Sequence, residues 1–181
     1  MSVAGSCSGV TLVLGGARSG KSRFAESLAP RGGVQCVYVA TAETIDDEMA
    51  SRIAVHRARR GPAWRTVEAP IELAQAIARE STPRTWLLVD CLTVWLGNLM
   101  HHGPDVDAAR EALLESLTAA PGPVVLVANE VGLGIVPDNP MARAFRDHAG
   151  RLNQAVARVA ERVCFVAAGI AVTLKGAPPP E

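Results

Sequence analysis

Gly15, Gly16, Ala17, Arg18, Ser19, Gly20, Lys21 and Ser22 form an unbroken G-x-x-x-x-G-K-S stretch directly after an apolar run at 10–14. Glycines at this spacing let the backbone fold tightly enough for successive N–H groups to converge on one phosphate chain. Lys21 adds a point charge for the β/γ oxygens, and the Ser22 hydroxyl is a ligand for Mg²⁺. Residues 23–28 continue as a helix whose positive N-terminal end faces the same phosphates. A glycine-rich loop by itself can be only a turn. The strand before it and the helix after it make this one a nucleoside-triphosphate site, and they leave open which phosphorus is attacked.

At 181 residues the chain is long enough for one domain with a sizeable core and no disulfide or metal support. The expected division is a flexible leader at 1–9, a single P-loop domain at 10–175 and a loose tail at 176–181. Lys plus Arg and Asp plus Glu number 18 each, so no charge excess points to nucleic acid or a membrane surface. Lysine occurs only at 21 and 175, and the basic cluster Arg57, Arg59, Arg60 is local. Cys7, Cys36, Cys91 and Cys164 lie far apart without metal-type spacing, and the last three fall in apolar runs, where cysteine behaves as a small hydrophobe. With no apolar N-terminal stretch and no run of roughly 18 apolar residues, a reduced, cytoplasmic setting is expected.

Short apolar runs alternate with longer amphipathic ones, the pattern of an α/β sheet. The strand candidates are 10–14, 35–40, 86–90, 124–128, 163–167 and 171–174. Their nearly all-apolar composition suits parallel strands covered on both faces. Helices are expected at 22–28, 46–59, 71–79, 92–100, 106–117 and 141–161. In the last, Phe145, Leu152, Val156 and Val159 recur at helical spacing. The connection around Gly169 is too short for a parallel crossover, so the terminal strand should run antiparallel at an edge. The fold expected is a P-loop, RecA-like, mostly parallel sheet flanked by helices, with that antiparallel strand at its C-terminal edge.

The run at 86–90 ends in Asp90, which supplies the metal-organising carboxylate that a P-loop needs at the end of a neighbouring strand. An acidic residue in this place can also simply cap a turn; the upstream loop favours the metal role, shared with Ser22. To this point the chain could be an ATPase, a small-molecule kinase or a GTP-binding regulatory module.

Two segments discriminate. The first runs Tyr38, Val39, Ala40, Thr41, Ala42, Glu43, then Asp46, Asp47, Glu48, Met49 and on through Arg52 and Ile53 to His56. The second is Asn129, Glu130, Val131, Gly132, Leu133, Gly134, Ile135, Val136, Pro137. Together with W-R-T-x-E at Trp64–Glu68, these make the chain resemble the bifunctional adenosylcobinamide kinase / adenosylcobinamide-phosphate guanylyltransferase family of cobalamin biosynthesis, from Val10 to Lys175.

The resemblance implies two reactions. A nucleoside triphosphate, ATP or GTP, phosphorylates the aminopropanol hydroxyl of adenosylcobinamide. GTP then gives GMP to a histidine, releasing pyrophosphate, and the histidine passes it to adenosylcobinamide phosphate, giving adenosylcobinamide-GDP. The D-D-E-M-x-x-R-I-x-x-H spacing puts the nucleophile at His56; residue 55, a histidine in some relatives, is Val here. The resemblance also implies a nucleotide site drawn from 15–22, Ala40, Thr41, Ala42, Arg57, Ala58, Arg59, Arg60, Glu68 and Asp90. It implies Mg²⁺ on Ser22 and Asp90, and a homotrimer for which Leu96, Leu99 and Met100 are candidate interface or core residues.

The chemistry supports His56 separately. Neutral imidazole is a good nucleophile near pH 7, and its phosphoramidate is reactive enough to hand the group on. The nearby arginines can hold phosphate oxygens while charge redistributes. A lone histidine is ordinarily a surface or core residue, and His101, His102 and His148 read that way, the first two in a polar connection before Gly103. Glu68 lies near a strand end, where the family places contacts to the guanine base or ribose; otherwise it is a surface carboxylate. Asp46, Asp47 and Glu48 are accounted for by the start of a helix. Glu130, beside the P-loop edge, is the candidate for a supporting polar role. A monofunctional P-loop kinase and a GTP-binding regulatory module remain the alternatives.

Overall fold

The computed structural model describes residues 9–30, 34–43, 64–103 and 105–179. Its elements in chain order are β1 (Val10–Gly15), α1 (Lys21–Ser27), β2 (Gln35–Ala40), β3 (Trp64–Glu68), α2 (Leu73–Glu80), β4 (Thr85–Asp90), α3 (Leu92–His102), α4 (Val106–Ala119), β5 (Val124–Asn129), α5 (Pro140–Val159), β6 (Arg162–Ala167) and β7 (Ile170–Lys175). The helix expected at 46–59 lies outside the described residues.

The seven strands form one sheet in the order β3-β2-β4-β5-β1-β6-β7. All neighbours are parallel except β6 and β7. That exception has the expected cause. Ala168 and Gly169, at φ 52° and 80°, close a two-residue turn of the left-handed kind that right-twisted strands require, so β7 must double back. The expected fold class is therefore what the strand order shows.

Two corrections concern the sheet. β3 is a strand that the apolar runs do not reveal. Its five residues W-R-T-V-E are half-buried or exposed at one edge, whereas an inner strand such as β4 is buried along nearly its whole length. Asp90 also stands on a strand that is not adjacent to the P-loop strand: β5 lies between β4 and β1. β5 brings its own end residues between Asp90 and the P-loop.

Strand parity sorts the side chains. Leu12, Val37, Val39, Leu87, Val89, Val124 and Leu126 pack on one face with residues of α2, α3, α4 and α5. Val13, Tyr38, Trp86, Leu88, Val125 and Val127 pack on the other, against Ala25, Phe24 and Leu28 of α1 and its end. Leu96 and Leu99, both 1% exposed, belong to the first core, with Met100 packed against it. They are core residues, not an exposed interface.

Capping sets the helix limits. Asp105 accepts from the N–H groups of Asp107 and Ala108 at 2.9 and 3.2 Å, and Asn139 from Met141 and Ala142 at 2.8 and 3.3 Å, with Pro140 opening α5. His101 and His102 form the last turn of α3, which ends at Gly103 with φ 82°. They are helical rather than part of a connection, and His102 Nε2 lies 3.0 Å from Glu43 Oε1.

The exposed edge strand β3 is tied to α2 by Arg65, which donates to Glu80 together with Arg79. The Arg65 hydrogen bond is the largest influence holding the Glu80 carboxyl below its ordinary value of 4.5. A depressed carboxylate stabilises the fold above its unfolded-state pKa and loses that contribution as pH falls through the folded value. Thermal melts between about pH 6 and pH 3 should therefore show a shallower acid decline for Glu80→Gln than for the native chain.

Candidate active site

The C-terminal ends of β3, β2, β4, β5 and β1 gather the polar residues. Glu68 pairs in register with Ala40, and Ala40 with Asp90; Asp90 pairs with Val127, and Asn129 with Gly15. Parity gives all of them one direction. Trp86, Leu88 and Asp90 alternate onto the α1 face, as do Val125, Val127 and Asn129, Val13 and Gly15, and Trp64, Thr66 and Glu68. The P-loop, the carboxylate and the two further polar ends thus share one edge and one face. At roughly 4.8 Å per strand, Glu68 stands about 19 Å from the P-loop strand.

The P-loop is built by close approach. A Cβ on Gly15 would strike the Val166 carbonyl and come within 2.6 Å of Ser19 Oγ. Gly20, at φ 96°, has Gly169 Cα 3.2 Å from where its Cβ would be. The β6–β7 turn supports the loop from below, its Gly169 N–H donating to the Ser19 carbonyl at 2.8 Å. Gly16 faces open space, leaving its side of the loop free for a ligand. Lys21 is 9% exposed, and its ammonium donates to the Gly16 carbonyl at 3.1 Å, so its charge is held over the loop. Ser19 Oγ is buried without a partner among the described residues, a donor and acceptor aimed within the cradle.

Asp90 is held from beneath. Thr41, fully buried, accepts the Cys91 N–H and donates to the Cys91 carbonyl, both at 2.8 Å, and its own N–H reaches the Asp90 carbonyl at 3.4 Å. The Asp90–Cys91 peptide is cis. Asn98 of α3 donates to the carbonyls of Thr41 and Pro70 at 2.8 and 3.0 Å. Thr41 therefore braces the carboxylate strand, and its hydroxyl is committed to protein. Desolvation raises the Cys91 thiol to about 11, with Asp90 pushing it further up and Lys21 drawing it down. Asp90 and the P-loop stand at the same edge and on the same face of the sheet, with only β5 between their strands.

This edge carries oxygen donors, the Ser22 hydroxyl at the start of α1 and the Asp90 carboxylate at the end of β4, and no group of three or more His, Cys, Asp or Glu side chains that could hold a metal ion among the described residues. Such a donor set fits Mg²⁺, which keeps waters and takes its remaining oxygens from phosphates. Asn129 and Glu130 follow on β5. The Glu130 carboxylate turns back to accept the Gly132 N–H within its own loop. The polar end with a free atom is Asn129, whose Oδ1 is buried without a partner. His56, Arg57, Ala58, Arg59 and Arg60 lie outside the described residues, as do Asp46, Asp47, Glu48 and Cys7. A separate cleft of about 330 Å³ beside Gly9, Val10 and Glu161 lies at the opposite ends of the strands and holds none of these groups.

The bracing residues Thr41 and Asn98 and the supporting turn Ala168-Gly169 carry weak sequence signals. Asn98 in an otherwise apolar helix is the clearest, because a buried amide must find partners.

Fold and site define a P-loop transferase that works on nucleotides. The family model for cobinamide kinase / cobinamide phosphate guanyltransferase matches residues 11–174, and the chain belongs to that family. It is 52% identical to the bifunctional adenosylcobalamin biosynthesis protein CobP of Pseudomonas aeruginosa, over 92% of this chain and 98% of that one. It is 45% and 42% identical to the CobU proteins of the same description from Escherichia coli and Salmonella typhimurium, over 91% of this chain and 98% of each of those. The solved P4 protein from bacteriophage phi6 in complex with ADP aligns with a TM-score of 0.49 at 16% identity, covering 96% of this chain and 59% of that one; the fold class rests on the strand order itself. The protein is accordingly an enzyme with the kinase and guanylyltransferase activities of its family. No described helix is long and apolar enough to cross a membrane.

Thr41→Val keeps shape but strands the buried Cys91 N–H. Urea unfolding should show a loss of about 1–3 kcal/mol, and nucleotide affinity measured by calorimetry should fall with it.

Proposed function

We propose that the enzyme carries out both reactions from the P-loop edge, attacking a different phosphorus in each. In the first, the aminopropanol hydroxyl of adenosylcobinamide attacks the γ-phosphorus of a nucleoside triphosphate, ATP or GTP. In the second, an imidazole nitrogen of His56 attacks the α-phosphorus of GTP, and the bond to the β-phosphate breaks, releasing pyrophosphate. A phosphate oxygen of adenosylcobinamide phosphate then attacks the same phosphorus, the P–N bond breaks, and adenosylcobinamide-GDP leaves.

The observation that carries this reading is the strand register, which sets Asp90 and Asn129 on the same edge and the same face as the cradle formed by Gly15 to Ser22. A charge held over the loop by the Gly16 carbonyl is ready to exchange that partner for phosphate oxygens. The same cradle, Gly15, Gly16, Ala17, Arg18, Ser19, Gly20, Lys21 and Ser22, holds the transferred γ-phosphoryl in the first reaction and the departing pyrophosphate in the second. Mg²⁺ on Ser22 and Asp90 would neutralise charge developing on the phosphate oxygens.

Glu68 suits the guanine base or ribose, and its distance from the P-loop strand keeps that contact away from the phosphates. Ala40 and Ala42, at and just after the end of β2 between Glu68 and the P-loop strand, are nucleotide contacts by the family pattern. Arg57, Arg59 and Arg60, with Ala58, supply phosphate contacts beside His56; these roles follow the family pattern. The reading extends to one domain at 10–175, a cytoplasmic enzyme and a homotrimer. Since Leu96 and Leu99 are core, a trimer must use other surfaces.

With α-labelled GTP the native enzyme should form an acid-labile, alkali-stable protein–GMP adduct, mapped to His56 by mass spectrometry. His56→Ala should lose the adduct while retaining phosphorylation of adenosylcobinamide. Full labelling of His56→Ala, or equal loss of both activities in the folded variant, would overturn the assignment. Lys21→Ala should depress both reactions, by roughly 100-fold or more if its charge acts in each transition state.

A further inference from the structure

Asn129 is the one residue of the central strand's end whose side chain keeps an unused buried acceptor among the described residues. Its main chain is fully committed. The N–H donates to Thr93 Oγ1 of α3 at 2.7 Å, and the carbonyl accepts Asn153 Nδ2 of α5 at 3.3 Å. The next N–H, of Glu130, donates to the Gly15 carbonyl at 3.1 Å. Three elements thus fix the backbone from which this amide projects, between the P-loop on β1 and Asp90 on β4 and on the same face as both.

Buried acceptors are nearly always satisfied, and leaving one without a donor is unfavourable. An acceptor held this firmly is completed by a donor that arrives with the ligand. The triphosphate oxygens carry no proton to donate near neutral pH, and the nucleoside's own donors lie at the far end of the phosphate chain. The Lys21 ammonium is held by the Gly16 carbonyl, and the Ser19 hydroxyl stands within the cradle. Of the donors a ligand brings, two remain: a metal-bound water and the hydroxyl that receives the phosphoryl group. Register decides between them. Asp90 is level with Val127, two residues before Asn129, so the amide stands roughly 7 Å further toward the open edge than the carboxylate that would hold the metal.

We infer that Asn129 Oδ1 accepts a hydrogen bond from the attacking hydroxyl of the phosphoryl acceptor and orients its oxygen toward the γ-phosphorus. The inference rests on the kinase half of the reading above. In the step so oriented, the hydroxyl oxygen bonds to the γ-phosphorus, and the bond to the β,γ-bridging oxygen breaks with its electron pair leaving on the nucleoside diphosphate. The hydroxyl proton leaves on an oxygen of the transferred phosphoryl group. The amide takes no proton; it sets the line of attack.

Asn129→Leu, nearly isosteric and without an acceptor, provides the test, with Asn129→Ala as a second variant in case the first does not fold. Because no hydrogen bond of the free enzyme is removed, the melting temperature should stay level or rise. Nucleotide affinity should be unchanged, and so should formation of the protein–GMP adduct, which uses no hydroxyl acceptor. The kcat for adenosylcobinamide phosphorylation should fall by roughly 100-fold. Undiminished phosphorylation would overturn the inference. So would parallel loss of phosphorylation, adduct and Mg²⁺-dependent nucleotide affinity, which would assign the amide to the metal's water, or a lowered melting temperature with equal loss of both reactions, which would make it a structural residue. If the native enzyme itself failed to phosphorylate adenosylcobinamide, the kinase reading would fall before this one.

Discussion

The parallel ladder of β4, β5 and β1 is the constraint on which the rest of the molecule depends. Its strands are apolar along their length and buried on both faces, so a slip of one residue would turn every side chain to the wrong layer. The register that buries Val13, Leu88, Val125 and Val127 against α1 necessarily points Gly15, Asp90 and Asn129 to the same side. Packing and catalytic geometry are thus consequences of one alignment. A slip by one residue would cost the core its apolar contacts and turn Asp90 away from the cradle's face at the same time.

Because the strand interiors contain so little polarity, the polar requirements accumulate where the strands end. There they are met by short, mutually dependent contacts. Thr41 closes both hydrogen-bonding groups of Cys91 beside Asp90, Asn98 ties Thr41 to Pro70, and Gly169 carries the Ser19 carbonyl. Each draws on a different element, so the site edge is rigid without a metal cluster or a disulfide among the described residues. The helices divide unequally in support of this. α2, α3, α4 and α5 pack on one face, and among the described residues the face toward which Gly15, Asp90 and Asn129 point is covered by α1 with Val94 of α3 beside it.

Much of this was legible in the residues. The inner strands announce themselves as apolar runs, the G-x-x-x-x-G-K-S stretch by its glycines and lysine, and the antiparallel β7 by a connection too short to cross over. β3 was legible only as the strand end near Glu68, because an edge strand needs burial on only part of its surface and W-R-T-V-E lacks an apolar run. Leu96 and Leu99 show why apolar residues on a helix do not identify an interface: the same composition serves a core, and here it does. The choice between Asn129 and Glu130 turned on a loop contact with Gly132 that no spacing rule records.

Taken alone, the sequence determined the class of ligand and the layer architecture, since both follow from local chemistry: glycine's freedom, lysine's charge, and the period at which apolar residues recur. It also carried the family likeness and with it His56, whose candidacy rests on pattern. Only the tertiary structure decided that β5 stands between the P-loop and Asp90, and that Thr41 spends its hydroxyl on the carboxylate strand. It also decided that Asn129 reaches the site with an acceptor unspent. Those are relations between residues far apart in the chain, and they are set by which strands pair and in what register, a choice made by the whole core at once.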